Sequence, residues 1–342
     1  MRANILPVSF PDKIAEDFTD FINTFHSYRE PWDSKLDVWL HECYAKELRK
    51  FKKFDFEGHP YFSPSTANSC PRELYEKIKG AKRDEQDVQP HQRRWTAQGT
   101  AVGDWLQREV LLAERHYKKF TGEEPRFKMA RNGEGSPFFE DFVKTMKVIE
   151  HNGVRFSLFG TCDGVLEYTS DTGEIIRVGL EIKSKQTTYA QTGDYSMRGP
   201  EESHVSQVVC YSIMYDVDYY LIVYVNTSKK SWNMTEEDAQ KYPDVRAFGI
   251  EITDEMRNGV LDYFAGIVKA VTEDNPPKLD LERFTFNNFK TACARSLTDE
   301  EYDEIRTHVK AVLRSGLPDW RKQQYLDAYD FIEEVRDGVA GD

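Results

Sequence analysis

The chain contains no apolar run of the roughly 18 residues that a membrane-spanning helix needs. Its opening residues, MRANILPVSFPDKIAEDF, also lack the unbroken apolar segment of a secretory signal, so a soluble, cytoplasmic protein is expected. Cysteine is scarce: Cys43, Cys70, Cys162, Cys210 and Cys293 are scattered and form no C-x-x-C pair. That argues against a disulfide framework or a zinc ribbon and for reduced thiols. Positive charge is short as well, since 46 lysines and arginines against 59 aspartates and glutamates leave a net charge of -13. Proteins that coat nucleic acid by bulk electrostatics carry a basic footprint, so that class is disfavoured. No internal repeat or long low-complexity tract is present.

What is present suits a sizeable core, with 39% hydrophobic and 13% aromatic residues in 342. The basic residues that exist are clustered: Arg49, Lys50, Lys52 and Lys53; Arg93 and Arg94; Arg115, Lys118 and Lys119; Lys183 and Lys185; Lys229 and Lys230. These are either solvated faces or parts of a local basic groove on an acidic body.

Hydrophobic spacing predicts helix over residues 12 to 54, a short capped helix from Ser63 to about Gly80, a polar loop over 81 to 92 and a long helix over 94 to 118. After the Asn132-Gly133-Glu134-Gly135 turn the period changes to that of strands. Strands are expected at 154 to 159, 162 to 168 and 175 to 182, the last two joined by a turn at Asp171-Thr172-Gly173, and together they read as an antiparallel meander. A helix over 202 to 215, a buried strand over 219 to 225, a strand over 247 to 252 and a helix opened by Thr253 follow. Beyond Asn275-Pro276-Pro277 the chain reads as a helical appendage, with a capping box at Thr298 and Glu301.

One group of residues carries chemistry. Glu181-Ile182-Lys183 is the sole Glu-x-Lys in the chain, it ends an apolar strand, and Asp163-Gly164 on the preceding strand offers a second carboxylate. Alternation along a strand puts Glu181 and Lys183 on one face and turns Ile182 to the core. The bare acid-x-Lys pattern recurs at Asp33-Ser34-Lys35, and an ordinary ion pair at the end of a hairpin is the competing reading. Carboxylates converging from neighbouring strands suit a hard cation such as Mg2+, which could neutralise phosphate charge and acidify a water.

Gly160-Thr161-Cys162-Asp163-Gly164-Val165, then Leu180-Glu181-Ile182-Lys183-Ser184, then Gln207-Val208-Val209-Cys210-Tyr211 resembles the PD-(D/E)XK nuclease superfamily, in particular its RecB-like branch of phage and CRISPR-associated exonucleases. The resemblance spans residues 63 to 225. It implies an α/β (α+β) restriction-endonuclease-like core, a central mixed sheet flanked by helices, at 63 to 274, with a helical N-terminal extension at 1 to 62 and the appendage at 275 to 342 packed on the core. It implies metal ligation by Asp163, Glu181 and the Ile182 carbonyl, and a Lys183 that orients or activates the attacking water. Gln207 and Tyr211, one helical turn apart, would fix Lys183 or touch the DNA backbone.

Two departures stand out. The branch has a histidine or glutamate four residues after a glycine, but Gly99 is followed by Gly103, so Asp104 or Gln107, and less readily Glu109, would have to substitute. Cys70 in Ser69-Cys70-Pro71-Arg72 resembles the first cysteine of cluster-binding relatives, yet only Cys293 lies downstream of the core. An iron–sulfur cluster needs four ligands, so none is expected and Cys70 reads as a small buried hydrophobe. His204 is a weaker candidate for the scissile phosphate. The resemblance therefore implies a Mg2+- or Mn2+-dependent DNA exonuclease of the phage end-processing or recombination type, with DNA and a single-strand annealing or other recombination protein as partners, no membrane, and an oligomer allowed. An endonuclease or nickase on the same core, or a DNA-binding scaffold without activity, are the alternatives.

Overall fold

The computed structural model describes residues 8–50, 52–85 and 87–339. The helices are α1 (Phe10–His26), α2 (Ser34–Leu48), α3 (Pro71–Ile78), α4 (Pro90–Thr121), α5 (Glu140–Val143), α6 (Glu202–Tyr215), α7 (Glu236–Lys241), α8 (Asp254–Thr272), α9 (Lys290–Arg295), α10 (Asp299–Leu313) and α11 (Asp319–Val339). The strands are β1 (Tyr61–Phe62), β2 (Phe127–Met129), β3 (Thr145–His151), β4 (Val154–Gly160), β5 (Gly164–Thr169), β6 (Ile175–Lys185), β7 (Tyr219–Asn226) and β8 (Val245–Glu251).

A mixed five-stranded sheet, β2-β5-β6-β7-β8, forms the centre, with β6 and β7 parallel and the other pairs antiparallel. Adjacent residues of β6 show that helices cover both faces. Lys183 reaches Gln207 of α6, while Ser184 turns the other way to α4, where a Cβ on Gly99 would lie 3.3 Å from its hydroxyl. The absence of a side chain at Gly99 thus lets α4 approach the strand that carries Glu181. Helix α1 lies across β8 for the same reason, since a Cβ on Gly249 would stand 1.8 Å from the Pro11 carbonyl oxygen. The fold is α/β, a mixed sheet flanked by helices, as expected.

Several expectations need revision. The meander is divided between two sheets. Strand β4 leaves the central sheet and pairs with β3 and β1, while β5 takes β2 and β6 as its neighbours. Strand β3 was missed because Thr145–His151 shows no clean alternation, although the Asn152-Gly153 pair, at φ 50° and 77°, is a strong hairpin signal. The helical stretch at 12 to 54 breaks between His26 and Ser34, around Pro31, with Asp33 capping α2 through the Leu36 amide. Phe51 lies outside the described residues. Helix α4 is longer than expected, from Pro90 at its first turn to a left-handed Gly122 at its end.

One large hydrophobic cluster joins α1, α2, α4, α6, α8 and the sheet. A second cluster, built on Phe284, Ala294, Ile305, Val309 and Ile332, belongs to the C-terminal helices alone. Among the described residues, no helix is long and apolar enough to cross a membrane.

Candidate active site

The chain crosses between the two sheets at Thr161–Asp163, and that crossing places Asp163. Its Oδ2 accepts from the Ile182 amide at 2.6 Å, and its backbone carbonyl accepts from the buried Gln107 side chain of α4 at 2.7 Å. Asp163 is therefore held by a strand on one side and a helix on the other. Opposite it, Glu181 is 1% exposed, its Oε1 lies 2.6 Å from Lys183 Nζ, and its Oε2 is buried with no hydrogen-bond partner among the described residues. An exposed ion pair at a hairpin end would bury neither charge, so the bland reading of Glu181-Ile182-Lys183 does not describe this geometry.

The lysine is fixed a second time. Lys183 donates to Gln207 Oε1 at 3.0 Å, and Gln207 Nε2 donates to the Tyr211 hydroxyl at 3.2 Å. Because Tyr211 takes the amide nitrogen, the amide oxygen is turned to the ammonium. Gln207 thus contacts Lys183 directly, and Tyr211 reaches it through Gln207. Tyr211 is buried and its phenol is pushed well above its usual pKa by that burial and by Glu181.

The carboxyl groups crowd one another. Burial and the Glu181 charge push Asp163 well above the ordinary carboxylate range, and burial likewise raises Glu181, with Glu140 adding to it. Glu140, at the start of α5, is pushed up to about 7 by burial and by Asp163, Asp141 and Asp104. Asp104 is raised by burial and by Asp141. The position of Glu140 is set by Thr161, whose hydroxyl donates to the Glu140 carbonyl at 2.6 Å. Glu140 had no signal in the sequence beyond two adjacent acids ahead of a strand; the fold alone brings it to Asp163.

Among the described residues no three His, Cys, Asp or Glu side chains gather closely enough to enclose a metal by themselves. The residues nonetheless fit a hard divalent cation. The donors are all oxygen, one buried carboxylate oxygen has no partner, and Mg2+ is ordinarily held by one or two carboxylates with water completing the octahedron. Asp163, Glu181 and the Ile182 carbonyl are the residues that would hold it, with Asp104 and Glu140 at the rim.

The other candidates lie elsewhere or serve structure. Glu109 is buried against His26 of α1, 3.2 Å away, and so is removed from the site. Gln107 keeps its Oε1 buried and unpaired while its nitrogen holds Asp163. His204 Nδ1 lies 2.8 Å from the Tyr224 hydroxyl, and burial together with Lys183 lowers its pKa to about 4, so it is neutral at pH 7. Cys70 is fully buried and its sulfur accepts from the Asp280 amide at 3.3 Å.

No family model matches the chain, and no curated protein does. Solved structures do overlap it. The crystal structure of SSO0001 is 15% identical, covering 77% of this chain and 96% of its own, with a TM-score of 0.36. An alkaline exonuclease from Laribacter hongkongensis is 15% identical over 68% of this chain and 95% of its own, TM-score 0.34. A phage-related exonuclease from Haemophilus somnus 129PT is 11% identical over 63% and 95%, TM-score 0.34. Overlaps at this level carry no argument about activity.

Proposed function

We propose that this chain is a divalent-metal-dependent deoxyribonuclease, an exonuclease acting in phage-type DNA end processing or recombination. The observation that carries the reading is the buried Glu181, which shares its one partnered oxygen with Lys183 and keeps the other free beside Asp163. A structural ion pair has no use for a carboxylate oxygen without a partner, because leaving one buried costs about 1–3 kcal/mol or more.

Asp163, Glu181 and the Ile182 carbonyl would bind the cation at the end of β6. When bound, a divalent cation neutralises charge on the phosphate and lowers the pKa of a coordinated water. Lys183, held by Glu181 and Gln207, presents its ammonium to the phosphate oxygens or to the attacking water. Gln207, itself held by the Tyr211 hydroxyl, keeps that ammonium in place. Water adds to phosphorus and gives up a proton to solvent, the P–O3′ or P–O5′ bond breaks, and the leaving oxygen takes a proton from solvent.

The test compares end-labelled linear duplex with closed circular plasmid, in Mg2+, in Mn2+ and in excess EDTA. Cleavage of the linear substrate that stops in EDTA and in Asp163→Asn is the expected result. Nicking of the circle would make the enzyme an endonuclease, and cleavage in excess EDTA, or by Asp163→Asn at the wild-type rate, would overturn the reading.

A further inference from the structure

Beyond the reaction centre, α4 does something unusual at its start. Residues 91 to 98 are exposed all round the helix, and the first buried residue of α4 is Val102, three turns in. A helix polar or exposed on every side has no packing reason to exist where it projects. This projecting segment holds Arg93, Arg94 and Trp95, the last 47% exposed.

Of the five basic clusters in the chain, four have members tied up in ion pairs. Lys50 and Lys52 pair with Glu47, Arg115 with Asp33, Lys118 with Glu124, Lys183 with Glu181, Lys185 with Glu201, Lys229 with Asp244 and Lys230 with Asp238. Arg93 and Arg94 have no ion-pair partner among the described residues. They are the cluster left free to meet a phosphate.

A second tryptophan is more exposed still. Trp232, in the loop after β7, is 99% exposed. Both tryptophan segments are anchored on Gln186, the residue after β6 ends: its side-chain amide donates to the Trp95 carbonyl at 3.3 Å, and its backbone carbonyl accepts from the Ser228 hydroxyl at 2.9 Å. Gln186 is three residues beyond Lys183 on the same chain segment. Trp95 is also one helical turn from Gly99, on the face of α4 that turns to β6. The Trp95 carbonyl and, four residues before Trp232, the Ser228 hydroxyl thus both meet Gln186 just past the end of β6.

We infer that Trp95, Trp232, Arg93 and Arg94 form a binding surface for unpaired, single-stranded DNA running past the end of β6. The inference rests on the nuclease reading for its choice of ligand. Indole faces stack on bases of any sequence, and guanidinium groups contact the backbone, which is the chemistry of single-strand recognition. Fully paired duplex hides its base faces and would gain from the arginines alone.

The experiment needs no cleavage. Binding of a fluorescein-labelled oligothymidylate of about 15 nucleotides is followed by anisotropy in EDTA, beside a blunt hairpin duplex with no unpaired bases. W95A and W232A should each weaken oligothymidylate binding by roughly 5- to 150-fold while leaving the duplex unchanged, and W95F should retain most of the affinity. R93A/R94A should weaken both ligands and reduce the slope of log K against log salt for the oligothymidylate by about 1.4. Equal oligothymidylate binding by wild type, W95A and W232A overturns the inference, as does an equal loss for both ligands in those variants. Failure of the nuclease reading shows separately, as an unmutated protein that binds oligothymidylate but cleaves nothing in Mg2+.

Discussion

Lys183 stands between two acceptors, Glu181 Oε1 and Gln207 Oε1, and so has its charge, reach and direction set independently. A preorganised donor aimed at developing negative charge typically contributes about 10²- to 10³-fold in rate. Lys183→Ala should therefore lose about that much in single-turnover cleavage. Lys183→Arg should recover little, since a planar guanidinium cannot occupy the position of a compact ammonium between two acceptors. Near-normal cleavage by Lys183→Ala would remove the lysine from the reaction centre. The pairs Glu181 with Lys183 and Gln207 with Tyr211 were readable in the sequence at fixed spacings on a strand and a helix, and the resemblance joined Asp163 to them. Glu140 was not, because nothing but the tertiary fold relates α5 to Asp163.

Helix α3 illustrates the same division among elements. Its apolar pattern was readable, but the cap expected at Ser63 opens only a 3-10 turn at Pro64–Thr66, α3 itself starts at Pro71 without a side-chain cap, and its partner was not readable. Arg72 is fully buried and binds the Ser296 carbonyl at 2.6 Å, the Pro277 carbonyl at 2.8 Å and Glu301 at 3.1 Å, so α3 is clamped to the C-terminal helices. Nearby, Glu73 accepts from the Asn288 amide at 2.9 Å. Removing one partner of a buried ion pair costs about 3–5 kcal/mol because the other charge is left behind. Arg72→Ala should lower stability by about that amount in urea unfolding and make the segment after Asn275 the first to be cut by protease. A loss under about 1 kcal/mol, with unchanged proteolysis, would show that the clamp does not hold the two regions together. Helix α10 behaves as its capping box foretold, with Thr298 and Glu301 bonding each other's backbone amides.

At the scale of the whole molecule, the carboxyl cluster links stability to pH and to cations. The Glu140 carboxyl ordinarily titrates near 4.5 and is raised to about 7 by burial and its acidic neighbours. Its protonated form is the one the fold favours, so its contribution is complete below about 4.5 and is lost as pH rises through about 7. In EDTA, Glu140→Gln should melt higher than wild type at pH 8 and at the same temperature near pH 5. Mg2+ at pH 8 should raise the wild-type melting temperature more than that of the variant, because the cation relieves a repulsion the variant lacks. Identical melting profiles from pH 5 to 8 would detach Glu140 from the cluster. The net charge of -13 then has a local meaning, since part of it is gathered where a cation would bind.

The sequence by itself determined the elements and the motif: helix α6 and strand β7 lie where periodicity put them, and Glu181 and Lys183 share a face because strand side chains alternate. Local spacing is enough for such features, as they depend on neighbours a few residues away. Which strands pair was decided only in three dimensions. The apolar patterns of β4 and β5 are equally compatible with one sheet or two, and the choice turns on β2 and β3 being available as edges. The same holds for the burial of Glu181, the arrival of Glu140 and the meeting of Trp95 and Ser228 at Gln186. Each depends on contacts between segments far apart in the chain, and hydrophobic packing specifies those contacts through shape and volume, which no short pattern encodes.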